Sequence, residues 1–210
     1  MATLDHIGLN RYIYMTASAD TMTLDLNDEA FFVNDPDSQW TGKSLYELYN
    51  EAHTPWEWHK AIFDRANELG MMAFSTPFDD TAVDFLESLN VPFYKIASQE
   101  NTDINLIQRV ARTGKPMIIS TGMATLDELT ESVNAAREAG CTELTLLKCT
   151  STYPASPENT NFSTLPHMRE LFNCEVGLSD HTMGIGVSVA SVSMGATVIE
   201  KHFKLNDEVG

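Results

Sequence analysis

The run "GLSDHTMGIG" (177–186) is followed, after one apolar stretch, by "VIEKHF" (198–203), and each carries a histidine close to an acidic residue. If the two runs are consecutive parallel strands, His181 and His202 are neighbours at one end of a sheet. Two neutral imidazoles there, with space for water and substrate oxygens, suit Mn²⁺ or a similar borderline divalent ion. Strand side chains alternate, so Glu200 shares a face with His202, and Ser179 with His181. Asp180 or Glu200 is then available to orient a ring or to stand behind it. The same spacing also fits two ordinary core histidines, and the residues alone leave both readings open.

Two lysines raise a related question. Lys95 lies in "FYKIAS" (93–98), an apolar run in which an unpaired charge costs several kcal/mol. It needs a partner, either Glu100 or an anionic ligand. The usual alternative for a strand lysine is a Schiff base, because burial lowers its pKa. Lys148 in "LLKCT" (146–150) offers the same choice. Hydroxyls gather at the ends of the same kind of run: Ser75, Thr76, Ser98, Ser120, Thr121, Thr150 and Ser179. Converging hydroxyls and ammonium groups suit a phosphate or a carboxylate. Taken singly, each hydroxyl also reads as a helix cap.

These residues need a scaffold that brings strand ends together. From about residue 71 the chain alternates strand-length apolar runs, 71–78, 91–98, 115–121, 144–150, 175–181 and 197–203, with amphipathic helical stretches at 80–90, 101–114 and 125–140. In the last of these, Leu126, Leu129, Val133 and Ala136 recur at helical spacing. Thr125 and Glu128 form a capping box, and Gly140 ends the helix. A seventh strand is expected at "RYIYMTAS" (11–18). Strands alternating with helices imply right-handed crossovers and a parallel sheet. No GxGxxG follows a strand, and a polar residue closes nearly every strand. The fold expected is therefore α/β, a TIM (β/α)8 barrel with its site at the C-terminal strand ends, rather than an open doubly wound sheet. Segment 27–70, with Trp40, Trp56 and Trp58, interrupts the repeat and reads either as a lid or substrate wall or as a packed excursion.

A net charge of −17 argues against nucleic acid or an anionic membrane as partner. Cys141, Cys149 and Cys174 are odd in number and lack CxxC spacing, so they read as reduced thiols. No apolar run is long enough to span a bilayer, and the first residues do not read as a signal peptide. A soluble, cytoplasmic protein is expected.

The stretches "FSTPFDDTAVDFLESLNVPFYKIAS" (74–98), "GKPMIISTGMATLDEL" (114–129), "LLKCTSTYPA" (146–155) and "GLSDHTMGIGVSVASVSMGATVIEKHF" (177–203) resemble the sialic acid (N-acetylneuraminate) synthase family. "ADTMTLDL" (19–26) and "SLYELYNEAHTPWEWH" (44–59) point to its pseudaminic acid synthase branch. The resemblance runs over about residues 18 to 205. It implies a (β/α)8 barrel that condenses phosphoenolpyruvate with an open-chain N-acetylated amino sugar, giving a nonulosonic acid and phosphate. It also implies a divalent metal, Mn²⁺ or Mg²⁺, and a homodimer. Carried over by motif, Thr76, Lys95, Ser98 and Ser120 hold phosphoenolpyruvate, Ser151 and Tyr153 line the same pocket, and Ser179 adds a hydroxyl to the phosphate. His181 and His202 are then the metal ligands, with Glu100 and Lys95 as catalytic residues, Glu100 handling a proton.

The chain also departs from that family. The family's first strand, with an acidic residue and an Asn-His-rich motif, has no match here. Where the family's second strand carries a Lys and a Gln, this chain has Ile13 and Met15. The final barrel helix and the C-terminal antifreeze-like (SAF) domain are likewise unmatched, so the reading is of an incomplete barrel over residues 1–210. Metal and phosphoenolpyruvate binding with slow or absent turnover is the expectation. Two other readings are a class I aldolase-like lyase using Lys95 or Lys148, and a non-catalytic binding or assembly fragment.

Overall fold

The computed structural model describes residues 2–6, 9–34, 36 and 40–203. Its strands are β1 (Ala2–His6), β2 (Leu9–Thr16), β3 (Met72–Pro77), β4 (Tyr94–Ile96), β5 (Met117–Ser120), β6 (Leu144–Cys149), β7 (Glu175–Asp180) and β8 (Val198–His202). They form one eight-stranded sheet in the order β3-β2-β1-β8-β7-β6-β5-β4. The five strands from β4 to β8 run parallel, as do β2 and β3. β3 and β4 are the two ends of this order yet stand side by side. Phe74 of β3 meets Phe93, just before β4, with ring centroids 4.0 Å apart. The sheet thus curls into the expected barrel.

The first strand position is filled in a way the sequence did not foretell. β1 lies between β2 and β8 and is antiparallel to both. A hairpin arm therefore occupies the place where a complete (β/α)8 barrel has a parallel strand. β2 carries Ile13 and Met15, whose side chains lie outside the described residues. No helix follows β8 among the described residues.

The helices are α1 (Ala19–Met22), α2 (Leu45–Ala52), α3 (Trp56–Glu68), α4 (Asp80–Ser88), α5 (Ile104–Ala111), α6 (Leu126–Glu138), α7 (Thr164–Phe172) and α8 (Gly186–Ser193). Helix α6 shows why the sequence folds this way. Thr125 and Glu128 form the reciprocal capping box, Leu129, Val133 and Ala136 are buried against the sheet, and Gly140 leaves the helix at φ 110°, a conformation that disfavours a side chain. Asp79 and Asp103 accept from backbone N–H groups to start α4 and α5 in the same manner. Apolar faces of these helices pack on the outer face of the strands, around Tyr94, Ile96, Ile119 and Leu146. A separate inner layer of Phe74, Phe93, Ile118 and Leu147, with Val198 packed against it, plugs the lumen. Phe74 and Leu147 are fully buried, each contributing about 1.5–3 kcal/mol, and beneath this layer a cavity lined by Phe93, Ile118, Thr145 and Val198 lies at the N-terminal strand ends.

Segment 27–70 holds α2 and the longer α3. Helix α3 is the crossover between β2 and β3. Trp56 stacks on Phe85 of α4 at 4.7 Å, and the buried His59 bonds the Thr16 hydroxyl through Nε2 at 2.8 Å. Thr16 in turn donates to Ser75 at 2.7 Å, which places Ser75 on the outer face of β3 and not among the lumen donors. Trp40 and Trp58 are exposed. No described helix is long and apolar enough to cross a membrane, and all three cysteines are free thiols.

Candidate active site

Strand alternation sends Thr76, Lys95, Ser120, Cys149, Ser179 and Glu200 into the lumen above the apolar plug. Lys95 is 5% exposed and Glu200 7%. Their Nζ and Oε1 lie 3.3 Å apart, joining β4 to β8 across the barrel. Ser120 reaches the other Glu200 oxygen at 3.5 Å. The partner of Lys95 is therefore Glu200 and not Glu100, because barrel closure sets β4 opposite β8. Thr76, Ser120 and Ser179 are all buried around this pair, with Ser179 in register between Cys149 and Glu200.

His181 and His202 stand above, their ring centroids 5.2 Å apart. His181 Nδ1 lies 2.8 Å from the Thr150 carbonyl. A carbonyl only accepts, so Nδ1 carries the hydrogen and Nε2 of the neutral ring keeps a lone pair. Neither Asp180 nor Glu200 orients this ring; the backbone of the β6–α7 loop does. His202 is exposed at the rim, yet desolvation by the groups crowded round its ring lowers its pKa, and the neighbouring His181 adds to the effect. Burial pulls on His181 too, but its contacts with Cys149 and Thr150 raise it on balance. Two nitrogens with open positions for water or substrate oxygens could hold a borderline divalent ion, and they suit Mn²⁺ better than the oxygen-preferring Mg²⁺. Among the described residues no third His, Cys, Asp or Glu completes a cluster of three.

Tyr153 lies over both rings, 4.1 Å from His181 and 5.5 Å from His202, and is 61% exposed. Cys149, read from sequence only as a reduced thiol, sits inside this group, 3.8 Å from the Ser151 hydroxyl and 4.0 Å from His181. Burial would push its thiol up, but hydrogen bonding with His181, Ser98 and Ser151 outweighs that and brings it down to about 7. Its place at the end of β6, two residues beyond the lumen-facing Leu147, was the available signal. Ser98 is held from the other side by Gly122, at φ 46°, where an added Cβ would come within 2.5 Å of the Ser98 Cβ. Lys148 points away from this group, donating to the Cys149 carbonyl at 3.1 Å and the Thr150 hydroxyl at 3.0 Å. An imine on Lys148 would form outside the lumen.

Glu100 follows β4. Burial pushes its carboxyl up to about 7, against the pull of its own backbone N–H and of the Lys95 charge. Its Oε2 is buried without a hydrogen-bond partner among the described residues. The next residue, Asn101, which sequence reasoning missed, is clamped in place: its amide donates to the carbonyls of Ser120 at 3.2 Å and Thr121 at 2.7 Å, and its own carbonyl accepts from Ser132 on α6. Because the folded value of Glu100 lies above the ordinary 4.5, the native state holds the proton more tightly than the unfolded chain. That stabilisation is complete below 4.5 and is lost as pH rises through about 7. Glu100→Gln is expected to abolish this loss, on the order of 1–2 kcal/mol after allowing for the carboxyl's partly solvated side. Urea unfolding of both proteins at pH 5 and pH 8 checks it; parallel pH dependences would contradict the burial of Glu100.

A profile described as the NeuB family matches residues 13–210. The pseudaminic acid synthase of Helicobacter pylori is 42% identical over 191 residues, covering 91% of this chain and 56% of that protein. The N,N'-diacetyllegionaminic acid synthase of Campylobacter jejuni is 40% identical over 150 residues, 70% of this chain and 45% of that protein. Among solved structures, the N-acetylneuraminic acid synthetase of Leptospira borgpetersenii superposes with a TM-score of 0.74 at 28% identity, over 77% of this chain and 56% of that one. The chain spans about half the length of the curated relatives it matches.

Proposed function

The chain belongs to the NeuB family, and on that footing we propose that its barrel mouth is built to condense phosphoenolpyruvate with an N-acetylated amino sugar, giving a nonulosonic acid of the pseudaminic or sialic type and phosphate. The observation that carries this reading is the pairing of His181 and His202 over a lumen in which Lys95, Thr76, Ser120 and Ser179 are buried together. Lys95 and the hydroxyls, with Ser98 from the β4–α5 loop, bind the phosphate and carboxylate of phosphoenolpyruvate and exclude water from them. Ser151 and Tyr153 wall the mouth side. His181 and His202 hold the divalent ion, Mn²⁺ in preference to Mg²⁺, which when bound supplies Lewis acidity to the sugar carbonyl.

The alkene carbon of phosphoenolpyruvate forms the new bond to the aldehyde carbon, and the aldehyde oxygen takes up a proton. Water then adds at the former enol carbon and gives one proton back to the Glu100 carboxylate, and phosphate leaves by cleavage of the C–O bond, taking the remaining hydroxyl proton as the ketone forms. Glu100, with a carboxyl raised to about 7 and an Oε2 that has no partner among the described residues, carries the proton at that oxygen and delivers it to the growing hydroxyl. The acceptor sugar and the second copy of the chain implied by the family belong to this same proposal.

Binding of Mn²⁺ in the presence of phosphoenolpyruvate tests the reading without requiring turnover. Saturable binding is expected, weakened roughly 100-fold or more in His181→Ala and in His202→Ala. Phosphate release that needs both Mn²⁺ and an N-acetylated amino sugar would extend it to the full reaction. An unmutated chain that takes up neither Mn²⁺ nor phosphoenolpyruvate would overturn it.

A further inference from the structure

Asp180 and Lys201 are cross-strand partners in the register of β7 and β8. Each immediately precedes one of the paired histidines, so what they fix on the outer face of the sheet bears on the spacing of His181 and His202 on the inner face. The Asp180 carboxylate has no solvent exposure. It accepts from the Thr182 backbone N–H at 2.9 Å, the Thr182 hydroxyl at 2.7 Å, the Ser188 hydroxyl of α8 and Lys201 Nζ at 2.9 Å. A carboxylate has about four acceptor sites, and here they are filled by groups from β8, α8 and the turn after His181. Lys201 Nζ also donates to the Thr182 carbonyl at 2.7 Å. The lysine thereby ties β8 to the residues on both sides of His181.

A buried ion pair is a poor way to gain stability, since its desolvation cost offsets most of its attraction. What this one provides is direction: each of its bonds has a fixed partner and length. The His181 ring cannot compensate for a shift of its strand, because Thr150 holds its Nδ1 from the other side.

We propose that Asp180 and Lys201 are positioning residues that set the separation of the His181 and His202 nitrogens, and with it the affinity and geometry of the divalent-ion site. This rests on the reading of the two imidazoles as ligands given above. The site tolerates about 0.5 Å of misplacement before affinity suffers, and releasing the rivet frees β7 and β8 to slide by that much.

The experiment uses the whole chain carrying Asp180→Asn or Lys201→Met, with Val83→Ala in α4 as a remote core control. Mn²⁺ affinity is read from the paramagnetic resonance of the free ion, Co²⁺ geometry from its visible absorption, and stability from urea unfolding. Both rivet variants are expected to bind Mn²⁺ about 10- to 100-fold more weakly and to show an altered Co²⁺ spectrum. Val83→Ala should lose stability while keeping the unmutated affinity and spectrum. If Asp180→Asn does not fold, Lys201→Met carries the test alone. Unmutated affinity and spectrum in the folded rivet variants would overturn the inference while leaving the metal site intact. Absence of Mn²⁺ binding in the unmutated chain would instead sink the ligand assignment, and the inference with it.

Discussion

Lys95→Met is expected to cost roughly 3–5 kcal/mol of folding stability, because it leaves the Glu200 carboxylate charged and unpaired inside the barrel. Both side chains are less than a tenth exposed, and among the described residues the other group on that carboxylate is the Ser120 hydroxyl at the long distance of 3.5 Å. The double variant Lys95→Met/Glu200→Leu replaces the pair with apolar groups of similar volume on a floor already made of Phe74, Ile118 and Leu147. It should recover most of the lost stability, as buried pairs commonly do when both partners go. Phosphoenolpyruvate binding should not recover, since the only lumen cation is still missing among the described residues. The two variants thus separate holding the barrel together from holding the substrate. Urea unfolding and a phosphoenolpyruvate titration read them. A loss under about 1 kcal/mol in the single variant would mean that water reaches the pair and screens it.

That pair also marks how far the sequence could be read. The six strands and three helices named from periodicity are all present, with ends trimmed by a few residues, because each follows from local patterning: Leu129, Val133 and Ala136 at helical spacing, Thr125 and Glu128 as a capping box. Lumen-facing hydroxyls at Thr76, Ser120 and Ser179 likewise follow from alternation along a strand. What failed were choices of partner. Glu100 was close to Lys95 in sequence, whereas Glu200 meets it only because ring closure sets β4 and β8 face to face. Asp180 looked like a group to orient a histidine, yet its one-residue offset from His181 puts it on the opposite face, where Lys201 and Ser188 take it. Asn101 and Ser132 gave no signal at all, since a buried amide clamping a loop has no characteristic spacing. The antiparallel β1 was equally silent: nothing in residues 2–6 distinguishes a hairpin arm from a loop until β2 and β8 present their edges to it.

Gly177→Ala should be as damaging as the loss of Lys95, through geometry alone. Gly177 faces the lumen on β7 beside Val198 of β8. A Cβ there would lie 2.2 Å from the Val198 carbonyl oxygen and 2.7 Å from a Leu147 methyl. Leu147 can turn aside, but the Val198 oxygen belongs to the backbone, so relief requires the whole of β8 to move. Overpacking with a rigid neighbour of this kind is expected to cost roughly 3–5 kcal/mol. Because β8 carries Glu200 and His202, the same displacement should weaken Mn²⁺ binding although neither histidine has been changed. Gly186→Ala is the matched control. It begins α8, meets nothing within 4 Å, and by helix preference should gain up to about 1 kcal/mol. Urea midpoints and Mn²⁺ affinity for the two variants give the comparison. If Gly177→Ala lost stability but kept the ion, β8 would be yielding below Val198 while its upper end stayed fixed, and the Asp180–Lys201 rivet would be the part of the sheet holding it there.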